Sequence, residues 1–209
     1  MPPNLALFII VVLLVVGWFA VGTQTNVRKG NAALRWLQEG LPQVGEKTSL
    51  RWLGSSAVEL KIQQAQPPFR SAELVLVLEP RDVPPLWALS RLRGRRDLFI
   101  FRATLRSQPS AEVEAFHPRA WSTQGLERRC EEKRWTRLDA PGPLVVYAPT
   151  RDEPFAALFH AADLPGCPLV RLSVRPSQPN VEVQWHLAHL RRHSSPSVIE
   201  ALRRIAGCV

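Results

Sequence analysis

The sequence is poor in cysteine, and its few cysteines are far apart. Cys130, Cys167 and Cys208 include no Cys-x-x-Cys pair, so they form neither a disulfide framework nor a zinc-binding pattern. The sequence also contains no Asn-x-Ser/Thr acceptor for N-glycosylation. Both absences favour a reducing compartment for the bulk of the chain.

Motifs typical of enzymes are absent as well. There is no Gly-x-Ser-x-Gly, His-Glu-x-x-His, protein-kinase or Rossmann pattern, and no cysteine has a histidine at a recognisable spacing. Residues 40–48 are similar to a phosphate-binding loop, but Glu46 follows Gly45 where the motif requires lysine, and a strand is predicted next. We therefore expect no cofactor, and the sequence leaves enzymatic activity unsupported.

One long segment lacks charge altogether. Leu5–Val21 contains no charged or strongly polar side chain, and with Gly22 the apolar run comprises 18 residues. At a rise of ~1.5 Å per residue, a helix of this length covers ~27 Å, close to the hydrocarbon thickness of a bilayer. Trp18 and Phe19 suit the interfacial belt of aromatic side chains. Residues 1–26 are therefore predicted to be an N-terminal transmembrane anchor that ends in a short polar break, residues 22–26.

A cleaved secretory signal is the main alternative to an anchor, because Ala20 and Gly22 are small residues at a spacing that suits a signal peptidase. However, residues 1–4 contain no lysine or arginine. The apolar run is also longer than the core of about 7–15 residues that is usual for signal peptides. The sequence favours an uncleaved anchor.

The basic residues beside the span predict its orientation. None lies in residues 1–4, whereas Arg28, Lys29 and Arg35 follow the span. By the positive-inside rule, the C-terminal side lies in the cytoplasm and Met1 lies outside. We therefore expect a single-pass protein of the cell membrane with a cytoplasmic soluble region.

The chain is strongly basic, with a formal net charge of +9 at pH 7. Such a charge attracts anionic lipid, acidic protein or nucleic acid. Nucleic acid is not favoured, because it would need exposed aromatic side chains among the arginines, whereas Trp87, Phe99 and Phe101 are predicted to be core. The densest basic patch is either the solvated end of a helix or a contact for anionic lipid or an acidic partner. This patch consists of Arg91, Arg93, Arg95 and Arg96.

After the span, residues 27–66 are predicted to form a juxtamembrane helix and a β-hairpin. The helix, Arg28–Glu39, ends at Gly40, and Pro42 prevents its continuation. The hairpin pairs Ser49–Leu53 with Ala57–Gln64 across a Gly-Ser-Ser turn.

The remaining chain repeats ten residues at a constant offset of 70. The repeated residues in the first window are Leu74-Val75, Arg81-Asp82-x-Pro84, Ser107-Gln108-Pro109 and Glu112-Val113, and in the second Leu144-Val145, Arg151-Asp152-x-Pro154, Ser177-Gln178-Pro179 and Glu182-Val183. These residues fall in register at predicted strand starts, helix starts and turns. We interpret them as an internal duplication, the alternative being two similar units with chance matches.

Each copy is predicted to contain the order β-α-β-β-α. The first copy, within residues 67–140, comprises strand Ala72–Glu79, helix Pro84–Arg93, hairpin Asp97–Leu105 with Ala111–His117, and helix Ser122–Glu131, with Trp135–Leu138 as a closing strand. The second copy, within residues 141–209, comprises strand Leu144–Ala148, helix Arg151–Asp163, hairpin Leu169–Arg175 with Val181–Leu187, and helix Pro196–Ala206. The expected fold class is thus α+β, with antiparallel sheets and helices on one face. The element order resembles the ferredoxin-like superfold, which implies no function, because that fold hosts many activities.

Two sets of polar residues are candidate sites. Asp82 and Asp152 form a pseudo-symmetric pair of carboxylates, although an aspartate between a strand and a helix is more typical of a helix start. His186, His189 and His193 have spacings that could bind a metal, but they straddle a strand end and a loop, and no carboxylate or cysteine joins them. We therefore predict no metal site.

Together these features predict a single-pass membrane protein that presents a basic, non-catalytic α+β interaction domain at the cytoplasmic face. The expected partners are the lipid bilayer and a protein at the membrane, and the oligomeric state stays open. Two alternatives remain: a membrane-tethered nucleic-acid-binding protein, and a hydrolase that uses Asp82 and Asp152.

Overall fold

The computed structural model describes residues 2–139, 142–150 and 155–209. It is a mixed α+β structure in which an N-terminal apolar helix precedes a large antiparallel sheet. The helices of the described residues are α1 (Pro3–Leu37), α2 (Pro84–Leu92), α3 (Leu126–Glu132), α4 (Ala156–Ala162), α5 (Leu187–Leu190) and α6 (Ser195–Gly207). The strands are β1 (Thr48–Trp52), β2 (Ala57–Ile62), β3 (Phe69–Val77), β4 (Leu98–Leu105), β5 (Val113–Phe116), β6 (Thr136–Leu138), β7 (Val145–Ala148), β8 (Leu169–Val174) and β9 (Val181–His186).

Helix α1 is one continuous helix of 35 residues, about 52 Å long at 1.5 Å per residue. The predicted break at residues 22–26 and the separate helix Arg28–Glu39 are therefore wrong. Gly22 and Asn26 have low helix propensity, but both are buried against the chain that follows β3, and these contacts offset their propensity. Of the helices that the structure describes, α1 is the one long and apolar enough to cross a membrane, and its apolar window is almost wholly exposed.

The strands form a single nine-stranded sheet in the order β1-β2-β3-β4-β9-β8-β5-β7-β6, with every neighbouring pair antiparallel. The predicted hairpins β1–β2 and β8–β9 are confirmed. The predicted hairpin between β4 and β5 is wrong, because the β8–β9 hairpin inserts between them. The Ser107-Gln108-Pro109 segment therefore links two strands that do not pair. The predicted closing strand of the first copy, residues 135–138, is also wrong in its pairing, because β6 pairs with β7 of the second copy.

Helices pack on both faces of this sheet, not on one face as predicted. Alternation along β7 shows the two faces, since Val146 and Ala148 join the main core whereas Val145 and Tyr147 point the other way. The main core contains α4, α6 and the second half of α1, with Trp185 and Phe99 fully buried at its centre. Helix α3 covers part of the opposite face.

The duplicated ferredoxin-like arrangement is not confirmed. The β-α-β-β-α order of both predicted copies is present, but the strands of the two copies share one sheet and pair differently. β3 pairs directly with β4, whereas β5 lies between β7 and β8. The repeated motif Arg151-Asp152-x-Pro154 lies outside the described residues.

At Gly22 the backbone of α1 lies directly against the loop that follows β3. A Cβ atom at Gly22 would lie 2.2 Å from the carbonyl oxygen of Arg81 and 2.5 Å from the Cα atom of Asp82, both backbone atoms that cannot rotate away. We predict that Gly22→Ala lowers the free energy of unfolding by about 1–3 kcal/mol, because the helix must move away from the loop. Denaturant titration of the full chain in detergent measures this change.

Gly17 supplies a matched control in the same helix. A Cβ atom there would meet nothing within 4 Å, so Gly17→Ala should not reduce stability. Equal stabilities for the Gly22→Ala variant, the Gly17→Ala variant and the wild type would contradict this seating of α1.

Candidate membrane-contact site

The loop between β3 and α2 lies against α1 at the point where its apolar run ends. The indole N–H of Trp18 donates a hydrogen bond to the carbonyl oxygen of Arg81, with 2.9 Å between nitrogen and oxygen. One turn beyond Gly22, the buried Asn26 side chain donates to the carbonyl oxygen of Glu79 and accepts from the Arg81 guanidinium. These bonds join an apolar helix to a polar loop without leaving the loop carbonyls unpaired.

A cluster of charges lies directly behind this loop. The Arg81 guanidinium donates two parallel hydrogen bonds of 2.9 Å to the carboxylate of Asp97, the residue that immediately precedes β4. Asp97 also accepts from the backbone N–H of Glu79, and Lys29 of α1 approaches it to 3.4 Å. The bidentate geometry and low exposure make this the strongest ionic link between α1, the loop and the sheet.

The environment of Asp97 shifts its acidity. Burial alone would raise the pKa of Asp97, but the hydrogen bonds from Arg81 and the Glu79 N–H, together with the charges of Arg81 and Lys29, outweigh it. The pKa of Asp97 is therefore held below its usual range, so the carboxylate stays ionised at neutral pH.

Helix α2 presents its polar side chains to the protein. Trp87 donates from its indole nitrogen to the buried carboxylate of Glu79 at 2.7 Å, and Arg91 approaches the same carboxylate at 3.2 Å. Ser90 is buried on this side. Trp87 also contacts the apolar helix, since its ring centroid lies 6.2 Å from that of Trp18.

The outward side of α2 is apolar. Leu92 is 85% exposed, and Leu86 and Leu89 are nearly half exposed. Pro85 and Ala88 lie on the same outward arc and are exposed too. A helix on the surface of a soluble domain normally has the opposite arrangement, with its apolar stripe facing the core. The polarity of α2 is thus inverted.

The four predicted patch arginines all lie at the C-terminal end of α2, where they differ in their contacts. Arg91 binds Glu79, Arg95 lies 4.5 Å above the ring of Trp121, and Arg96 donates to the carbonyl oxygens of residues 91 and 95. The Arg93 side chain makes no hydrogen bond or ion pair with any described residue and is exposed. Arg93 therefore has the most freedom to bind an external anion. Arg96 is held by backbone carbonyls but has no carboxylate partner among the described residues, and the patch as a whole stays a prediction.

Of the predicted carboxylate pair Asp82 and Asp152, only Asp82 lies among the described residues. Asp82 precedes α2 and accepts a hydrogen bond of 2.5 Å from the Ser55 hydroxyl in the β1–β2 turn, which fits a structural role. Asp152 lies outside the described residues. The predicted core side chains Phe99 and Phe101 are fully buried, whereas Trp87 is partly exposed beside Trp18.

Three features of the site escaped sequence reasoning. These are the outward leucines of α2, the Glu79 carboxylate under Trp87, and the pairing of Arg81 with Asp97. The spacing of Leu86, Leu89 and Leu92 was visible in the sequence, but such a stripe looks the same whether it faces a core or a solvent.

A second ionic network crosses the sheet on the face that α3 partly covers. Arg171 donates to Glu114 at 2.5 Å and to Glu182 at 2.9 Å, and Arg102 donates to Glu182 at 3.1 Å. Burial would raise the pKa of Glu182, but the charges of Arg171 and Arg102 outweigh it and lower that pKa. Every carboxylate of this network has an arginine partner, so the network has a structural role: it links β4, β9, β8 and β5.

Other polar groups do not assemble into a recognisable centre within the described part of the chain. The rings of His186 and His189 have centroids 6.3 Å apart. Among the described residues, no group of three or more His, Cys, Asp or Glu side chains could hold a metal ion. A cavity of about 990 Å³ lies beside β6, β7 and α4.

The chain matches no known family model, and a search of curated proteins finds no similar sequence.

The contribution of the Arg81–Asp97 pair to the stability of the fold can be tested. We predict that Asp97→Asn lowers the free energy of unfolding by about 2–3 kcal/mol at pH 7, because it removes the bidentate partner of the largely buried Arg81 guanidinium and leaves it only the longer contact of 3.5 Å with Glu79 among the described carboxylates. Since the folded pKa of Asp97 is lowered, this stabilisation is fully present above the unfolded pKa of about 3.9 and is lost as pH falls through the folded value.

Denaturant titrations of the full chain in detergent at several pH values measure both effects. The gap between wild type and variant should be constant from pH 7 to about pH 5 and shrink below about pH 4. The exposed Asp163 is the matched control, and Asp163→Asn should change stability by less than about 0.5 kcal/mol. A gap that widens on acidification would contradict the assigned ion pair.

Proposed function

We propose that the protein is a single-pass membrane protein that holds a basic, non-catalytic α+β interaction domain at the cytoplasmic face of the cell membrane. The observation that carries this proposal is the continuity of α1. Its first half is apolar and almost fully exposed, while its second half is packed into the core of the sheet domain. A helix of this kind needs a bilayer around the exposed half and fixes the domain directly beneath it.

The contacts of α1 also support an anchor over a cleaved signal. Cleavage after Ala20 or Gly22 would remove Trp18, which binds the Arg81 carbonyl and packs beside Trp87. It would also expose the loop carbonyl that this indole covers. The cleaved chain would then begin within the contact between α1 and the loop that follows β3.

The distribution of charge supports the cytoplasmic orientation. Arg28, Lys29 and Arg35 are exposed on α1 just beyond the apolar run. The fold brings the patch arginines of α2 to the same end of the domain, since α2 follows the loop that contacts Trp18 and Gly22. More basic residues therefore lie at this border than the sequence flanks alone supply, which strengthens the positive-inside argument.

Membrane fractionation and topology mapping test this proposal. The full-length chain should stay in the membrane pellet through high salt and alkaline carbonate and should keep its residues before Trp18. A reporter fused after Val209 should be active in the cytoplasm. Release into the alkaline supernatant, or a mature N-terminus at Thr23, would disprove the anchor, and reporter activity on the outer side would reverse the orientation.

Internal duplication is a separate proposal about the origin of the chain. It is supported by the ten identities at offset 70 and by one pair of helix ends that keeps that offset, since α2 ends at Leu92 and α4 at Ala162. Related sequences in which the two windows share more than these ten identities would support the duplication. Related sequences in which the identities at offset 70 are lost would refute it.

A further inference from the structure

The feature that the anchor leaves unexplained is the inverted polarity of α2. Trp87, Ser90 and Arg91 face the protein, while Leu86 and Leu89 face outward with close to half of their surface exposed, and Leu92 with 85%. Exposed apolar area of this kind is unfavourable in water. A single exposed leucine is ordinary, but three on one face of a nine-residue helix indicate a contact.

The position of α2 identifies what lies opposite this face. The loop that starts α2 contacts Trp18 and Gly22, the last turn of the apolar run, and the ring of Trp87 lies 6.2 Å from that of Trp18. Tryptophan at the end of a span settles at the level of the lipid headgroups. If α1 spans the bilayer, α2 therefore starts at the depth of the membrane–water interface.

The charges around α2 fit the same surface. Between residues 83 and 96 the chain contains four arginines and no acidic residue. Arg91 is partly neutralised by Glu79, but Arg93 has no described partner and Arg96 lies exposed at the helix end. A helix with leucines on one side and arginines at its border is typical of segments that lie in the plane of an anionic membrane surface.

We propose that α2 is a second membrane contact. Its outward face, formed by Leu86, Leu89 and Leu92, inserts into the interfacial region of the leaflet at which α1 exits toward the domain, and Arg93 and Arg96 bind anionic headgroups there. This inference rests on the proposed anchor. Two contacts, one spanning and one lying in the surface, prevent the domain from rotating about the axis of α1. The sheet is thereby held in a fixed orientation to the bilayer.

Site-specific fluorescence quenching in the full-length protein tests this inference. Cys208, the exposed cysteine, is first replaced by serine, while Cys130 and Cys167 are buried, which raises the pKa of their thiols to about 11 and about 12 and keeps them unreactive. An environment-sensitive fluorophore is attached to Leu92→Cys, and the protein is reconstituted in vesicles of brominated phosphatidylcholine. The matched control is Gln108→Cys, an exposed position at the opposite end of β4.

The label at position 92 should be quenched several-fold more strongly than the label at position 108. Adding phosphatidylglycerol to the vesicles should increase quenching at position 92. Arg93→Gln should reduce this increase. Arg70→Gln removes an exposed arginine at the N-terminal end of β3, away from α2, and should leave the increase unchanged.

The outcomes separate this inference from the proposed anchor. A chain that resists alkaline extraction, with equally weak quenching at positions 92 and 108, keeps the anchor and overturns the membrane contact of α2, whose face would then cover a protein partner. Equal quenching at position 92 with and without phosphatidylglycerol would overturn the headgroup contact of the arginines. A chain released by alkaline carbonate would overturn the anchor itself.

Discussion

The close approach of Gly22 to the backbone of Arg81 and Asp82 sets how the apolar helix meets the sheet. There is no space for a side chain at this point, so the helix and the loop touch through main-chain atoms. Such a contact allows little adjustment, because backbone atoms cannot rotate aside as side chains do. The register of α1 against the loop, the contact of Trp18 with the Arg81 carbonyl and the start of α2 all follow from it.

Around this contact, buried polar groups and exposed apolar groups occur together for one physical reason. The loop must present hydrogen-bonding groups to α1 and the sheet, and it does so through Arg81, Asp97 and Glu79. Glu79 in turn draws Trp87 and Arg91 inward, which turns the leucines of α2 outward. The inverted helix is thus a consequence of a satisfied ionic cluster, and a bilayer is the surroundings in which the outward leucines cost least.

Much of the secondary structure could be predicted from local pattern, and the tertiary arrangement could not. Alternation in β2 and the 3.6-residue period of α6 located these elements within about two residues. Nothing local indicates that the β8–β9 hairpin inserts between β4 and β5, because strand pairing is decided by contacts distant in sequence. The sequence predicted a break at residues 22–26 because their helix propensity is low. The segment is helical because it contacts Glu79 and Arg81, which are distant in sequence. Of the candidate site, the arginine patch was recognisable, but the outward direction of Leu92 depended on packing.

Hydrogen exchange along α1 in the reconstituted full-length protein is the most direct test of a rigid link between the apolar run and the sheet domain. Such a link requires one uninterrupted helix from the apolar run into the sheet core. Amides of residues 18–30 should therefore be continuously protected, with protection at residues 22–26 comparable to that at residues 33–37, which are packed in the core. Fast exchange confined to residues 22–26 would reveal a hinge between span and domain. That result would contradict a rigid connection and the fixed orientation that depends on it.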